Sequence, residues 1–292
     1  MAELYNVESV AIFGVGLIGG SFALALRKAG FTGRITGVSS PATISRAISL
    51  GVIDEGKPPV EAAAADLIFL AQPIGVILKT IAAIGGSVRE GALVTDAGST
   101  KASIVSAAAE HMAGRIFVGG HPMAGKEARG LEAADADLFC NRVWVLTPGK
   151  PVDRQKLQYQ EFVQWLERIG AVPLVLDAAE HDRIVSLTSH LPQLASTALA
   201  ATLAARNSGT SPVHGPGLED MTRLALSSFD IWEDILSSNR ANVASALEDY
   251  IGILEAIHKA LATSAASDIR QIFGQGGKFA RSLRGDSQDR GG

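Results

Sequence analysis

The chain has 292 residues, 47% of them hydrophobic and 19% charged, with a formal net charge of −4. That length allows two domains of ordinary size, and the charge balance lacks the clustered basic face of a nucleic-acid-binding protein. One cysteine, Cys140, excludes an internal disulfide and a thiolate metal cluster; with no bilayer-length apolar run and no leader pattern in the first ten residues, a cytoplasmic protein is expected.

In chain order, residues 9–13 (SVAIF) read as a short buried strand. Gly14-Val15-Gly16-Leu17-Ile18-Gly19 follows at once, and a helical run from Gly20 to Ala29 stops at Gly30. This is G-x-G-x-x-G between a strand and a helix. Gly14 permits the tight turn, Gly16 lets the backbone approach a pyrophosphate, and Gly19 lets helix and strand pack closely. The free N–H groups and positive dipole of the helix start then face the phosphates. Leu17 and Ile18 belong to the same cofactor-facing turn.

The next strand, Arg34–Val38, is where a carboxylate would bind the ribose 2′-OH of NAD. Ser39 and Ser40 stand there instead, with Arg46 one to two helical turns on. Two hydroxyls and a guanidinium suit a 2′-phosphate, so NADP is favoured over NAD; the alternative is that the serines cap the following helix. A helix over Pro41–Leu50 and a helical segment over Pro59–Ala65 come next. The strand Asp66–Ala71 runs into Gln72-Pro73 at the cofactor edge, followed by a helix over Ile74–Ala83 and a strand over Ala92–Thr95. Asp96 to Lys101 opens another helix, with Ser99 at its start as a cap. Further strands are expected over Phe117–Gly120, Arg142–Leu146 and Val172–Leu176. Repeated βα units predict a doubly wound, mostly parallel sheet with ligands at the carboxyl ends of its strands.

From about residue 180 long helical patterns take over, at His181–Asn207, Gly217–Leu226, Ser228–Asn239 and Arg240–Thr263. The reading is therefore an α/β dinucleotide-binding (Rossmann-type) domain over 1–175, an all-α substrate and dimerisation domain over 176–284, and a disordered polar tail over 285–292.

Two histidines stand out. His121 sits in Gly119-Gly120-His121-Pro122-Met123-Ala124-Gly125, where Gly and Pro predict a turn that holds the ring in open space. An ordinary pKa near 6.5 suits such a side chain to proton transfer. His190 lies in Ser189-His190-Leu191-Pro192, where a helix is interrupted or begins.

These segments, GVGLIGGSFALAL, DAGSTK, FVGGHPMAGKEARG, LTSHLP and GLEDMTRLALSSFDIWEDIL, resemble the prephenate/arogenate dehydrogenase family of tyrosine biosynthesis, in the family's order and through most of residues 9–260. The resemblance implies oxidative decarboxylation of prephenate or arogenate with hydride transfer to NAD(P), giving 4-hydroxyphenylpyruvate or tyrosine, in a homodimer joined through the helical domain. It implies that His121 assists deprotonation of the substrate's C4 hydroxyl, that Ser99 and His190 lie beside the reacting ring, and that Arg223 binds a substrate carboxylate. A bidentate guanidinium suits that last task. Glu127, His181, Asp182 and Asp220 match polar positions at the entrance of the family's site. Trp232 is expected in the dimer core. Neither a metal nor a membrane or nucleic-acid partner is expected.

A hydroxyacid or imine dehydrogenase of the same architecture is the alternative. Related hydroxyacid enzymes carry a lysine on a second-domain helix, and no lysine occurs here between Lys156 and Lys259.

Overall fold

A computed structural model describes residues 6–149, 154–206 and 213–284. The expected tail over 285–292 and the expected helix end at Asn207 lie outside the described residues. Strands β1 (Ser9–Phe13), β2 (Arg34–Val38), β3 (Glu55–Gly56), β4 (Leu67–Leu70), β5 (Leu93–Asp96), β6 (Ile116–Pro122), β7 (Val143–Pro148) and β8 (Val172–Val175) form one sheet in the order β3-β2-β1-β4-β5-β6-β7-β8. Between them run α1 (Leu17–Lys28), α2 (Pro41–Ser49), α3 (Pro59–Ala62), α4 (Ile74–Ile84), α5 (Ala102–His111) and α6 (Leu157–Arg168).

β4 and, beyond Ser9, β1 are apolar at every position because both sheet faces are covered. Along β1, Val10 and Ile12 enter one core with Phe22, Phe69 and Trp144, while Ala11 and Phe13 enter the other with Ile77, Ile81 and Ile104. The alternation is the period-2 geometry of a strand.

β1 through β6 are parallel, as expected; β6 and β7 are antiparallel. The connection from β6 to β7 contains one 3₁₀ turn, Leu131–Ala133, and no crossover helix to carry the chain back for a parallel return. Because β7 pairs alongside, β6 continues past Gly120, and His121 sits opposite Val145. The expected turn at His121 is therefore a strand end. α1 begins at Leu17, three residues earlier than the sequence pattern suggested.

The later helices are α7 (Ala178–Val185), α8 (Leu191–Arg206), α9 (Pro216–Thr222), α10 (Phe229–Ser238), α11 (Arg240–Ala262) and α12 (Ala266–Leu283). The single helix expected from His181 is split. Residues Ser186–His190 form a π-turn, in which the Leu191 N–H reaches back five residues to the Ser186 carbonyl. Pro192 follows with no N–H to give, which is one cause of such irregularity.

The chain divides into two compact units, one up to Arg240 and one from Ala241. The first contains the sheet and α1–α10. The second contains α12 and α11 beyond its first residue; α12 leaves Phe273, Phe279 and Leu283 64–74% exposed. Among the described residues no helix is long and apolar enough to cross a membrane.

Candidate active site

Two adjoining cavities open at the carboxyl ends of β1, β4, β5 and β6, with Ala71 in the wall of both. The smaller, about 550 Å³, is lined by Gly14, Gly16, Ser39, Arg46, Gln72 and Pro73 among others. It sits where the strand order reverses between β1 and β4, the usual ligand position in such sheets. Gly14 has φ +91°, and a side chain there would run into the Ala71 carbonyl. A Cβ on Gly19 would overlap the Gly14 carbonyl, so this glycine sets the helix–strand approach. Gly16 differs: a Cβ there meets no protein atom, and no side chain caps the α1 N-terminus. Open space in front of uncapped helix N–H groups fits a dinucleotide pyrophosphate. Ser40 does not line the cavity. Its hydroxyl accepts the Thr43 N–H at 3.3 Å and caps α2. Arg46 is held by Glu132, Nε to Oε1 3.3 Å, and both line the same wall.

The larger cavity, about 1120 Å³, gathers Leu17, Ile18, Ser99, His121, Glu127, His190, Arg223 and Trp232 in its wall. Leu17 and Ile18 line this larger cavity and not the smaller one. The loop from β5 to α5 is drawn tight by Asp96. Its carboxylate accepts N–H bonds from Gly98 at 2.8 Å and from Gly120 at 3.0 Å, and it pairs with the fully buried Lys101 ammonium. Lys101 also donates to the Gly120 carbonyl at 2.7 Å. This cluster pins the loop carrying Ser99 to the strand carrying His121. Ser99 is not the α5 cap; Asp182 takes the first N–H groups, from Lys101 at 2.7 Å and Ala102 at 2.9 Å.

Behind His121 lies a second histidine. His121 Nδ1 is 2.9 Å from His181 Nε2, and His181 Nδ1 is 2.8 Å from Asp182 Oδ1. His181 and Asp182, expected at the site entrance, are instead buried beneath His121. Burial opposes ionisation of Asp182, but hydrogen bonds from His181, Ala102 and Lys101 outweigh it and hold its pKa below the ordinary carboxylate value. Burial first, then the electrostatic influence of neighbouring His181, Lys101 and His190, pushes His121 well below the usual histidine value.

His190 is buried, and its ring meets Trp232 edge-on with centroids 5.8 Å apart. The Asn239 amide nitrogen donates to the Asp182 backbone carbonyl at 2.7 Å, which fixes the amide orientation, and lies 3.3 Å from His190 Nδ1. Nδ1 is therefore the acceptor, and the His190 proton sits on Nε2. Burial is the main cause that lowers the His190 pKa to about 4, with His181 adding to it and Asp182 opposing it.

Arg223 follows α9 on a 3₁₀ turn tied to α8 by Gln193, whose amide donates to the Leu224 carbonyl at 2.8 Å. Across the cavity mouth Glu127 approaches it. Asp220 is exposed on α9 and absent from the cavity wall. Trp232, expected in a dimer core, lines the cavity. Sequence reasoning did not foresee the Asp96–Lys101 cluster or Asn239. A lysine directly after D-x-G-S-x was the available signal for the first; for Asn239 there was none. No group of three or more metal-ligating side chains is arranged to hold a metal among the described residues.

Residues 22–175 match the family model for the nucleotide-binding domain of prephenate dehydrogenase, and residues 177–275 match its dimerization domain. A prephenate dehydrogenase from Lactococcus lactis is 33% identical over 288 residues, covering 95% of this chain and 78% of that protein. A prephenate dehydrogenase from A. aeolicus, solved with hydroxyphenyl propionate and NAD+, superimposes with a TM-score of 0.88 at 30% identity, over 96% of this chain and 99% of that one. Synechocystis arogenate dehydrogenase gives 0.81 at 28% identity, over 94% and 99%.

Proposed function

The chain belongs to the prephenate dehydrogenase family, and from that premise we propose that it carries out NAD(P)-dependent oxidative decarboxylation of prephenate and/or arogenate to 4-hydroxyphenylpyruvate and/or tyrosine. The observation that carries this reading is the meeting of Ser99, His121, His190 and Arg223 round one cavity that adjoins the glycine cradle. A bound dinucleotide supplies the acceptor for the hydride that leaves C4. His121 takes the C4 hydroxyl proton as that carbon becomes carbonyl-like. Loss of the ring carboxylate as CO2 pushes its electron pair into the ring, the C4 oxygen regains a proton, and aromaticity makes the step effectively irreversible. Ser99 and the Nε2–H of His190 offer hydrogen bonds within the same cavity, and Arg223 anchors a substrate carboxylate.

For the cofactor we favour NADP. Ser39 presents a hydroxyl where a carboxylate would repel the 2′-phosphate, and Arg46 stands in the same wall. We assign dinucleotide binding to residues 1–175 and substrate handling and homodimerisation to 176–284. The exposed apolar side chains of α12 support a second copy as the partner. Cys140 is a free thiol, in keeping with a reducing cytoplasm. The reading is tested by offering the purified protein prephenate and arogenate, each with NAD+ and NADP+, and following absorbance at 340 nm. No reduction in any of the four combinations overturns it.

A further inference from the structure

We propose that His181 and Asp182 form a positioning dyad that fixes the tautomer of His121, leaving His121 Nε2 bare as the proton acceptor. The inference rests on the reading of His121 as the base and adds what makes it one.

A buried chain of hydrogen bonds starts at Asp182. Asp182 Oδ1 accepts the Lys101 backbone N–H, and Oδ2 accepts that of Ala102, so the carboxylate is held ionised at the start of α5. Its backbone carbonyl is held in turn by Asn239. An ionised carboxylate only accepts, so at 2.8 Å the proton between it and His181 belongs to His181 Nδ1. In the proposed arrangement that is the single ring proton of His181, and its Nε2 is bare. Facing it at 2.9 Å, His121 Nδ1 must carry the second proton. His121 is then left with a bare Nε2, and among the described residues His181 is the only hydrogen-bond partner of its ring. An unconstrained neutral histidine favours the opposite tautomer, with the proton on Nε2, and cannot accept a proton there. The dyad reverses that preference. The rings meet nearly perpendicular, 74° apart, and His181 is fully buried, so neither turns freely and bulk water does not compete for the bond. The logic is that of an oriented base in a catalytic triad, here with a second imidazole between the carboxylate and the base.

The test uses full-length protein labelled with 15N-histidine, the His121 signals being identified by their loss in His121→Asn. In the wild type the ring nitrogens should report the Nδ1–H tautomer at pH 7. His181→Asn retains an amide to pair with Asp182 but loses the contact to His121. It should populate the Nε2–H tautomer and lower kcat for the accepted substrate by ~10²-fold, with KM within about threefold. His181→Gln, whose amide oxygen can replace Nε2 as acceptor, should recover at least about tenfold of that loss. A wild-type His121 resting as Nε2–H overturns the proposal. So does a folded His181→Asn with unmoved tautomer and kcat within about threefold. If His181→Asn does not fold, the wild-type tautomer and His181→Gln decide. The tautomer is read without substrate, so a wild type that turns over neither substrate defeats the functional reading and leaves the dyad to its own result.

Discussion

Glu127 Oε1 lies 3.5 Å from Arg223 Nη1, so a carboxylate of the chain itself already faces the guanidinium at the cavity mouth. Both side chains are more than half exposed, and such a pair is weak. A substrate carboxylate can therefore take Glu127's place at little cost and with better, bidentate geometry. Arg223→Ala should raise KM for the substrate by ~10–100-fold while kcat changes far less, and Arg223→Lys should recover only part of the loss. Steady-state kinetics at saturating cofactor decide it: an unchanged KM would remove Arg223 from carboxylate binding.

Gly16 and Gly19 belong to one motif but face different neighbours. A methyl at Gly16 projects into the cradle and meets no protein atom, whereas at Gly19 it strikes the Gly14 carbonyl. Gly16→Ala should leave Tm within about 2 °C of wild type yet weaken dinucleotide binding at least ~10-fold. Gly19→Ala should lower Tm clearly. Thermal melts paired with cofactor titration check both; the reverse pattern would show that the cradle is not where the pyrophosphate sits.

What could be read from the sequence follows from what is local. The Gly14–Gly19 turn, the parallel strands before it and after it, and the positions of His121, His190 and Arg223 depend on residue types at short spacing; Gly14 and Gly16 line the smaller cavity and the three side chains the larger. The errors were of juxtaposition. His181 lies sixty residues from His121, and its hydrogen bond to that ring arises only when α7 packs on α5 and β6. Asp182 caps a helix eighty residues away, which left Ser99 free of the capping role its position suggested. Ser39 and Ser40 look equivalent in sequence, yet one lines the cavity and the other caps α2. α6 and α12 went unnamed. α12 carries Gly274, Gly276 and Gly277, which weaken any helical pattern.

The proposed preference for NADP rests on Ser39. A carboxylate at that wall would accept from a ribose 2′-OH and repel a 2′-phosphate. Wild-type kcat/KM should be higher with NADP+ than with NAD+, and Ser39→Asp should invert the ratio. An NAD+ preference of about tenfold or more in the wild type would count against the hydroxyl and Arg46 as phosphate ligands.

The buried His190 makes stability depend on pH. Its folded pKa, about 4, lies below the unfolded value near 6.5, so between those pH values the unfolded chain binds the extra proton. Its contribution is full above about pH 6.5 and is lost as pH falls through about 4. Denaturant unfolding at pH 7 and pH 4.5 should show a larger loss of stability for wild type than for His190→Asn. Equal losses would mean that His190 titrates normally.

The central claim is that His121 takes the C4 hydroxyl proton in an oxidative decarboxylation. It is tested most directly by kcat of wild type and His121→Asn with prephenate or arogenate, whichever the wild type accepts, at saturating NADP+ or NAD+. The account predicts a fall of ~10²–10⁴-fold in the variant with cofactor binding unchanged. Turnover by His121→Asn within about threefold of wild type would contradict it.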